Sequence, residues 1–361
     1  MFSGFDNIIY FIGGIILGNT IILIIVYFRN KYLNKNNDSK YANLYSVSCE
    51  GITDHQPQSF KEYILHNNTP ILLEKLYKNL DADSISILDK ALNKILHIPD
   101  TKYMKYFRID IESYKNDFMT EKEHKSIILR KKMQPILDAK YKMEPMPAGN
   151  NVAILTQHYI RFSSQKLKDY IKNKIFIDGG ANYGDTAIAM IDLEPSKIYS
   201  FEISKININR YIYNMKRNNI PKSLYEINKL ALYGSKSTFK VSSTSINGGI
   251  NDTLYKKDDI VKSIDLDSFL KDKEGSVGFI QADLQGVQCN ALLGMKKTIY
   301  KYRPVLIIDI SDNPEDFFCA KPLLEDIVKD SNYKIRIIDY DKFEIGILGL
   351  SIYAYPKELD E

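Results

Sequence analysis

The run Lys174-Ile175-Phe176-Ile177-Asp178-Gly179-Gly180-Ala181-Asn182-Tyr183-Gly184-Asp185-Thr186 constrains this chain more than any other stretch. An apolar segment of strand length meets a glycine-rich turn, and Ala187 to Leu193 continues as a helix. Ile and Phe without polar alternation suit a strand covered on both faces, the environment of a parallel sheet. The glycines permit backbone torsions and close approaches that a Cβ forbids. Asp185 or Thr186 is placed to cap the helix. A strand, turn and helix of this kind hold a nucleotide-like ligand against backbone N–H groups at the tip of a sheet.

Downstream the same alternation recurs. Lys197 to Glu202 reads as a strand ending in a carboxylate, followed by a helix over about 206–219 that stops at Pro221. Leu224 to Leu232 is the next strand, and Val277 to Asp283 is another that ends in an acid. Cys289 to Tyr300 reads as a helix, Pro304 to Ile310 as a buried strand and Glu315 to Lys329 as a helix. Strands alternating with helices demand right-handed crossovers and a largely parallel sheet. The last strands, Tyr333 to Asp339 and Ile347 to Tyr355, have no helix-length spacer, so an antiparallel hairpin at the sheet edge is expected.

The chain begins differently. Residues 8–28 carry no charge, with Asn19 and Thr20 the clearly polar interruptions. At about 1.5 Å per residue a helix of that length spans about 30 Å, the hydrocarbon thickness of a bilayer. A cleaved signal peptide is the alternative, but a positive n-region and a small-x-small cleavage site are missing. Arg29, Lys31 and Lys35 follow the segment and only Asp6 precedes it as a charge, so the positive-inside rule keeps the bulk of the chain cytoplasmic. Gly14 and Gly18, four apart, allow two such helices to pack as a homodimer; lipid-facing glycines without a partner are the plainer alternative. The expected organisation is a membrane anchor over 1–34, a polar linker over 35–44, a mostly helical region over 45–150 and an α/β domain over 151–361. In the helical region Ile85, Leu88, Leu92 and Ile95 share one helix face, with Asp83 as its expected cap. Residues 121–137 read as a charged helix. A net charge of +4 with interspersed signs argues against nucleic acid as the main partner. Cys49, Cys289 and Cys319 are far apart and form neither a disulfide framework nor a Cys-x-x-Cys metal pair, so no metal site is expected.

Asp178, Glu202 and Asp283 lie at successive strand tips, where open α/β sheets bind ligands. A carboxylate at Glu202 can accept both hydroxyls of a ribose diol, which suits NAD and S-adenosylmethionine alike. The turn meets G-x-G-x-x-G only if Ala181 replaces the middle glycine, where a pyrophosphate normally approaches. S-adenosylmethionine has no phosphate, and acids near its sulfonium are tolerable. Methyl transfer to an alcohol is a displacement governed by positioning, with a base to take the proton. Asp283 and His158 are the candidate bases; a turn cap and a buried structural histidine are the plainer readings of the two.

From about 152 to 356 the chain resembles the FkbM family of S-adenosylmethionine-dependent methyltransferases. The matching pieces are Phe176 to Ala187, Ile198 to Glu202, Leu230-Ala231-Leu232, Ile264 to Asp267, Phe279 to Gly286 and Arg303 to Ile310. The resemblance implies a Rossmann-like seven-stranded class I methyltransferase sheet with an antiparallel last strand, and O-methylation of sugar or natural-product hydroxyls. It implies that the turn and Glu202 hold the methyl donor, making Asp178, Gly180, Asn182, Gly184, Asp185 and Glu202 the expected cofactor-binding residues. The family usually has Asp-Val-Glu-Gly where this chain has Asp283-Leu284-Gln285-Gly286, and a Glu where Asp309 closes its strand. Gln285 cannot act as a base.

The leading reading is therefore a membrane-anchored, single-pass O-methyltransferase with a cytoplasmic catalytic domain, acting on a glycan, glycolipid or related small molecule. An NAD-dependent oxidoreductase or epimerase shares the turn and Glu202 but requires a further parallel strand in place of the terminal hairpin. A membrane-tethered binding module without turnover is the third reading, motivated by Gln285.

Overall fold

The computed structural model describes residues 69–97, 139–143, 157–241, 259–339 and 350–360, with isolated positions between 60 and 67 and between 132 and 136. The expected anchor over 8–28, the linker over 35–44, most of the helix over 121–137 and the polar segment after residue 241 lie outside the described residues. Among the described residues no helix is long and apolar enough to cross a membrane.

Two helices come first, α1 (Thr69–Tyr77) and α2 (Ala82–His97). Asp81, not the expected Asp83, starts α2: its Oδ1 accepts the N–H of Ser84 at 2.9 Å, while Asp83 lies inside the first turn. The α/β part opens with α3 (Gln165–Ile171), capped by Ser164, whose Oγ accepts the N–H of Leu167 at 3.2 Å. It continues as β1 (Ile175–Gly179), α4 (Asp185–Met190), β2 (Lys197–Phe201), α5 (Lys205–Arg217), β3 (Tyr225–Asn228), β4 (Ala231–Leu232) and β5 (Ser237–Val241). After the undescribed segment come β6 (Asp259–Ile264), α6 (Leu266–Phe269), β7 (Val277–Ala282), α7 (Gln288–Gly294), α8 (Lys296–Tyr302), β8 (Val305–Asp309), α9 (Pro314–Val328), β9 (Tyr333–Asp339) and β10 (Leu350–Pro356).

Seven strands form one sheet in the order β3-β2-β1-β7-β8-β10-β9. β1 pairs in parallel with β2 and β7, and β7 with β8, whereas β10 runs antiparallel to both neighbours. The hairpin of β9 and β10 is antiparallel as expected, but the last strand is not at the edge: it inserts between β8 and β9. Burial explains the choice. Every residue of β10 is buried, whereas β9 carries Lys334 and Arg336 and is half-exposed. A strand apolar on both faces gains more inside the sheet, and a charged strand suits the edge. The expected single strand over 224–232 divides in two, because β4 leaves the main sheet for a small one ordered β4-β6-β5. The expected helix over 289–300 is two, α7 and α8, meeting at Met295.

The sheet has a core on each face. Ile175, Ile177, Leu306, Ile308, Ile352 and Ala354 point to one side, while Phe176, Phe279, Ile307, Tyr353 and Tyr355 point to the other. α1 and α2 belong to the first core, where Leu73, Leu76 and Tyr77 join Phe317 and Phe318. Ser84 of α2 also covers the sheet edge, its Oγ accepting the outward N–H of Ile337 at 3.0 Å.

Candidate active site

The glycine turn after β1 is braced from two sides. The N–H groups of Gly180 and Ala181 both donate to the Phe201 carbonyl at 3.0 Å, and the Asp283 N–H donates to the Gly179 carbonyl at 3.0 Å. The tips of β1, β2 and β7 are thus tied together. Gly180 has φ +78°, and a Cβ there would lie 1.9 Å from the Asp283 carbonyl oxygen. Its need for glycine comes from the chain's own close approach, not from room for a ligand. Asp185, expected as a cap, lies inside the first turn of α4, and Gly184 occupies the capping position without a side-chain bond.

Glu202, just beyond β2, is buried and reaches across this turn. Its Oε2 accepts the Asn182 N–H at 2.9 Å and its Oε1 the Ser204 N–H at 2.7 Å. Burial pushes its pKa up against the pull of those two donors. The carboxylate therefore does structural work that the sequence did not disclose: it joins the turn to the start of α5.

Asp178 sits beneath the turn, 2% exposed. Ser200 Oγ donates to its Oδ2 at 3.1 Å, and Tyr211 Oη lies 2.9 Å from the same Ser200 hydroxyl. With its amide nitrogen turned toward them, Gln281 donates to Asp178 Oδ1 at 3.2 Å and to the Gly179 carbonyl at 3.1 Å. Burial, with Asp185 nearby as the next cause, pushes the Asp178 carboxyl up to about 8. Burial likewise raises Asp185 to about 6, opposed by its own and Thr186's N–H groups.

His158 packs against the helix that follows the glycine turn. It is buried, with Nε2 2.8 Å from Thr186 Oγ1 on α4, and burial pushes its pKa down to about 4. A base so weak is poorly matched to taking a proton from an alcohol near neutral pH. The contact with Thr186 gives it a packing role at the start of α4.

Asp283 is different. It is half-buried, and its Oδ1 accepts from the side-chain amide of Gln285 at 2.9 Å. Gln285 thus orients the carboxylate that a Glu in its place would repel. Around Asp283 the fold gathers two acids from the end of β8. One carboxylate oxygen from each of Asp283, Asp309 and Asp312 lies within 4.8 Å of the others. Asp309 accepts from the Ser311 N–H at 2.9 Å and the Ser311 hydroxyl at 2.8 Å. Asp312 accepts from Gln288 Nε2 at 3.1 Å. Burial, then the nearby Asp283, pushes Asp309 up to about 8, and Asp312 is raised by the same causes. Like charges so close disfavour joint ionisation. Sequence reasoning marked Asp309 but missed Asp312; three polar residues directly after a strand tip, Ser311, Asp312 and Asn313, were the available signal.

Asp178, Gly180, Asn182, Gly184, Asp185, Glu202 and Asp283 therefore share one end of the sheet, the carboxyl ends of β1, β2 and β7, while His158 lies against α4. No curated protein matches the chain. Among solved structures, an FkbM methyltransferase from Methylobacillus flagellatus KT is 14% identical, with a TM-score of 0.40 over 77% of this chain and 72% of that one. An O-methyltransferase from Bacillus cereus in complex with SAH is 13% identical, with a TM-score of 0.36 over 70% of this chain and 98% of that one. Fibrillarin from Aeropyrum pernix, with bound S-adenosyl-L-methionine, is 10% identical, with a TM-score of 0.31 over 51% of this chain and 66% of that one. The family model for the methyltransferase FkbM domain matches residues 178–338, which span the turn, Glu202, Asp283 and the β8 acids. Residues 178–338 thus carry a methyltransferase FkbM domain.

Proposed function

We propose that the protein is an S-adenosylmethionine-dependent O-methyltransferase acting on a hydroxyl of a glycan, glycolipid or related small molecule. The observation that carries this reading is Glu202. It is a carboxylate fixed by two backbone N–H groups at the tip of β2, directly across the glycine turn. A carboxylate has about four lone-pair sites, so Glu202 keeps acceptor capacity for a ribose hydroxyl.

The charge around the turn supports a cationic ligand over a diphosphate. Besides burial, Asp185, Glu202 and Asp283 are close enough to raise the Asp178 carboxyl's pKa. A cation among such acids is stabilised, and a dinucleotide's pyrophosphate is repelled. The antiparallel β10 also departs from the further parallel strand that the NAD-dependent reading requires. Bound here, S-adenosylmethionine supplies an electrophilic methyl group on a sulfonium. Asp283, oriented by Gln285 and half-open to solvent, takes the proton of the acceptor hydroxyl. The protein's remaining work is to hold the two reactants in line.

Calorimetry on the full-length protein tests the donor: S-adenosylhomocysteine is expected to bind, and Glu202→Ala to weaken binding by roughly tenfold or more. Folded protein that takes up no ligand would sink the reading. The uncharged run over residues 8–28 supports a single-pass anchor with the catalytic domain on the cytoplasmic side. A lipid-linked acceptor suits that placement. Retention in membranes after alkaline carbonate washing is the expected outcome, and release into the supernatant contradicts the anchor.

A further inference from the structure

The outer face of α5 has a pattern that neither the sheet nor the site uses. The helix carries Lys205, Arg210, Lys216 and Arg217 and no acid. Its buried side chains are Asn207, Tyr211, Asn214 and Met215. At about 100° per residue, Ile206 and Tyr213 stand within about 20° of each other on the opposite side. They are 40% and 49% exposed and form the middle line of the outer face. Arg210 and Arg217 flank that line on one side, Lys205 and Lys216 on the other. Arg217 lies over the Tyr213 ring at 5.4 Å. Exposed Lys142 extends the patch, its backbone N–H donating at 2.9 Å to Asn218 Oδ1 directly beyond the helix. Asp192 and Glu194, in the same layer, are already paired with Lys140 and Lys172.

An apolar and aromatic line between two rows of cations matches an anionic bilayer surface. There an Ile and a Tyr enter the headgroup region while long basic stems reach to the phosphates. Each cation near such a surface contributes about fivefold in affinity, and three together about a hundredfold. That is weak for a free protein but ample for a tethered one, because a tether makes the second contact intramolecular. The uncharged run over 8–28, followed by Arg29, Lys31 and Lys35, has the make-up of such a tether. A nucleic acid meets the same cations but has no use for an exposed Ile206. The face also adjoins the site: α5 starts three residues after Glu202, and Arg210 lies 4.6 Å from the centre of the Tyr183 ring in the glycine turn.

We propose that the outer face of α5 is a docking surface for an anionic lipid bilayer, holding the carboxyl end of the sheet beside the headgroups. This rests on the anchor reading above and deepens it: the tether brings the domain to the membrane, and α5 sets how the domain lies there.

The chain has no tryptophan, so Tyr213→Trp makes position 213 its one indole emitter. The full-length Tyr213→Trp protein is reconstituted in vesicles of phosphatidylcholine, alone or as two parts to one of phosphatidylglycerol. In the anionic vesicles its emission is expected to shift to the blue and to be quenched by brominated lipid; in the neutral ones it does neither. Raising salt from about 0.1 M to about 1 M shortens the Debye length from about 10 Å to about 3 Å and is expected to reverse both effects. Adding Lys205→Glu, Lys216→Glu and Arg217→Glu to the reporter is expected to abolish the quenching while the protein still floats with the vesicles. Tyr300→Trp, in the equally basic α8, is the second reporter and is expected to stay unquenched. Protein that floats with both kinds of vesicle while Tyr213→Trp stays unquenched overturns the proposal and leaves the anchor. Equal quenching at positions 213 and 300, or a larger shift with poly(U) than with the anionic vesicles, also overturns it. Flotation with the anionic vesicles alone, with the quenching at 213 in place, overturns the anchor and leaves the docking surface standing.

Discussion

At the scale of single residues, the site is governed by how far burial moves its acids. Asp178 is the clearest case, because its hydrogen-bond partners are Ser200 and Gln281 and its carboxyl is pushed up to about 8 against an ordinary 3.8. Between those values the folded protein holds a proton that the unfolded chain has released. Stability from this group is full below about pH 4, falls as pH rises, and levels off above about 8. The slope is at most about 1.4 kcal/mol per pH unit. Asp178→Asn is isosteric and carries no titratable proton. Urea unfolding of both proteins at pH 5, 6.5 and 8 should therefore show the variant gaining on wild type as pH rises. A difference that does not change with pH contradicts the protonated Asp178. The carboxyl's position at a strand tip was legible in the sequence, since Phe176 and Ile177 lead straight into it. Its protonation was not, because that depends first on burial beneath elements that arrive from elsewhere in the chain.

At the scale of elements, the apolar runs of β1, β7 and β8 announced themselves because each is buried on both faces. The insertion of β10 did not, because chain order specifies a hairpin but not which of its strands lies inside. The docking of α1 was also illegible, and it turns on one side chain. Lys321 of α9 is completely buried, with Nζ donating to the carbonyls of Lys75 at 3.2 Å and of Lys78, and paired with Glu325 at 3.0 Å. Lys75 and Lys78 stand at the end of α1, where helix carbonyls lack intrahelical partners. The ammonium therefore closes that helix and draws it onto α9. Lys321→Met keeps the stem but strands the Lys75 and Lys78 carbonyls and removes the cation beside Glu325. The expected cost is about 2 kcal/mol or more. Hydrogen exchange should rise over residues 69–78 by a larger factor than over β1. Unchanged protection of α1 would show that apolar packing alone holds it.

At the scale of the whole molecule, the helical region and the methyltransferase sheet share one core. Leu73, Leu76, Tyr77, Ile85 and Leu88 are each 2% exposed or less and belong to the cluster that includes Phe317, Phe318 and Ile337. At about 2 kcal/mol for each such side chain buried, these five contribute on the order of 10 kcal/mol. That is comparable to the whole net stability of an ordinary domain, about 5–15 kcal/mol. Ser84 and the pairing of Arg336 with Asp81 at 2.8 Å add polar cover to the exposed edge of β9. The sequence separates the two regions by composition near residue 150, and a cut there looks natural on that basis alone. The packing argues otherwise, because the cut uncovers Phe317, Phe318 and the β9 edge together. A chain beginning at residue 151 is expected to aggregate or to bind a hydrophobic dye such as ANS. One beginning at residue 45 keeps α1 and α2, and is expected to unfold cooperatively and to bind S-adenosylhomocysteine as the full chain does. A stable, monomeric 151–361 fragment with full affinity would show that the helices are accessory to the sheet. Failure of that fragment alone makes them part of the catalytic unit, and places the boundary of the folded enzyme before Phe60.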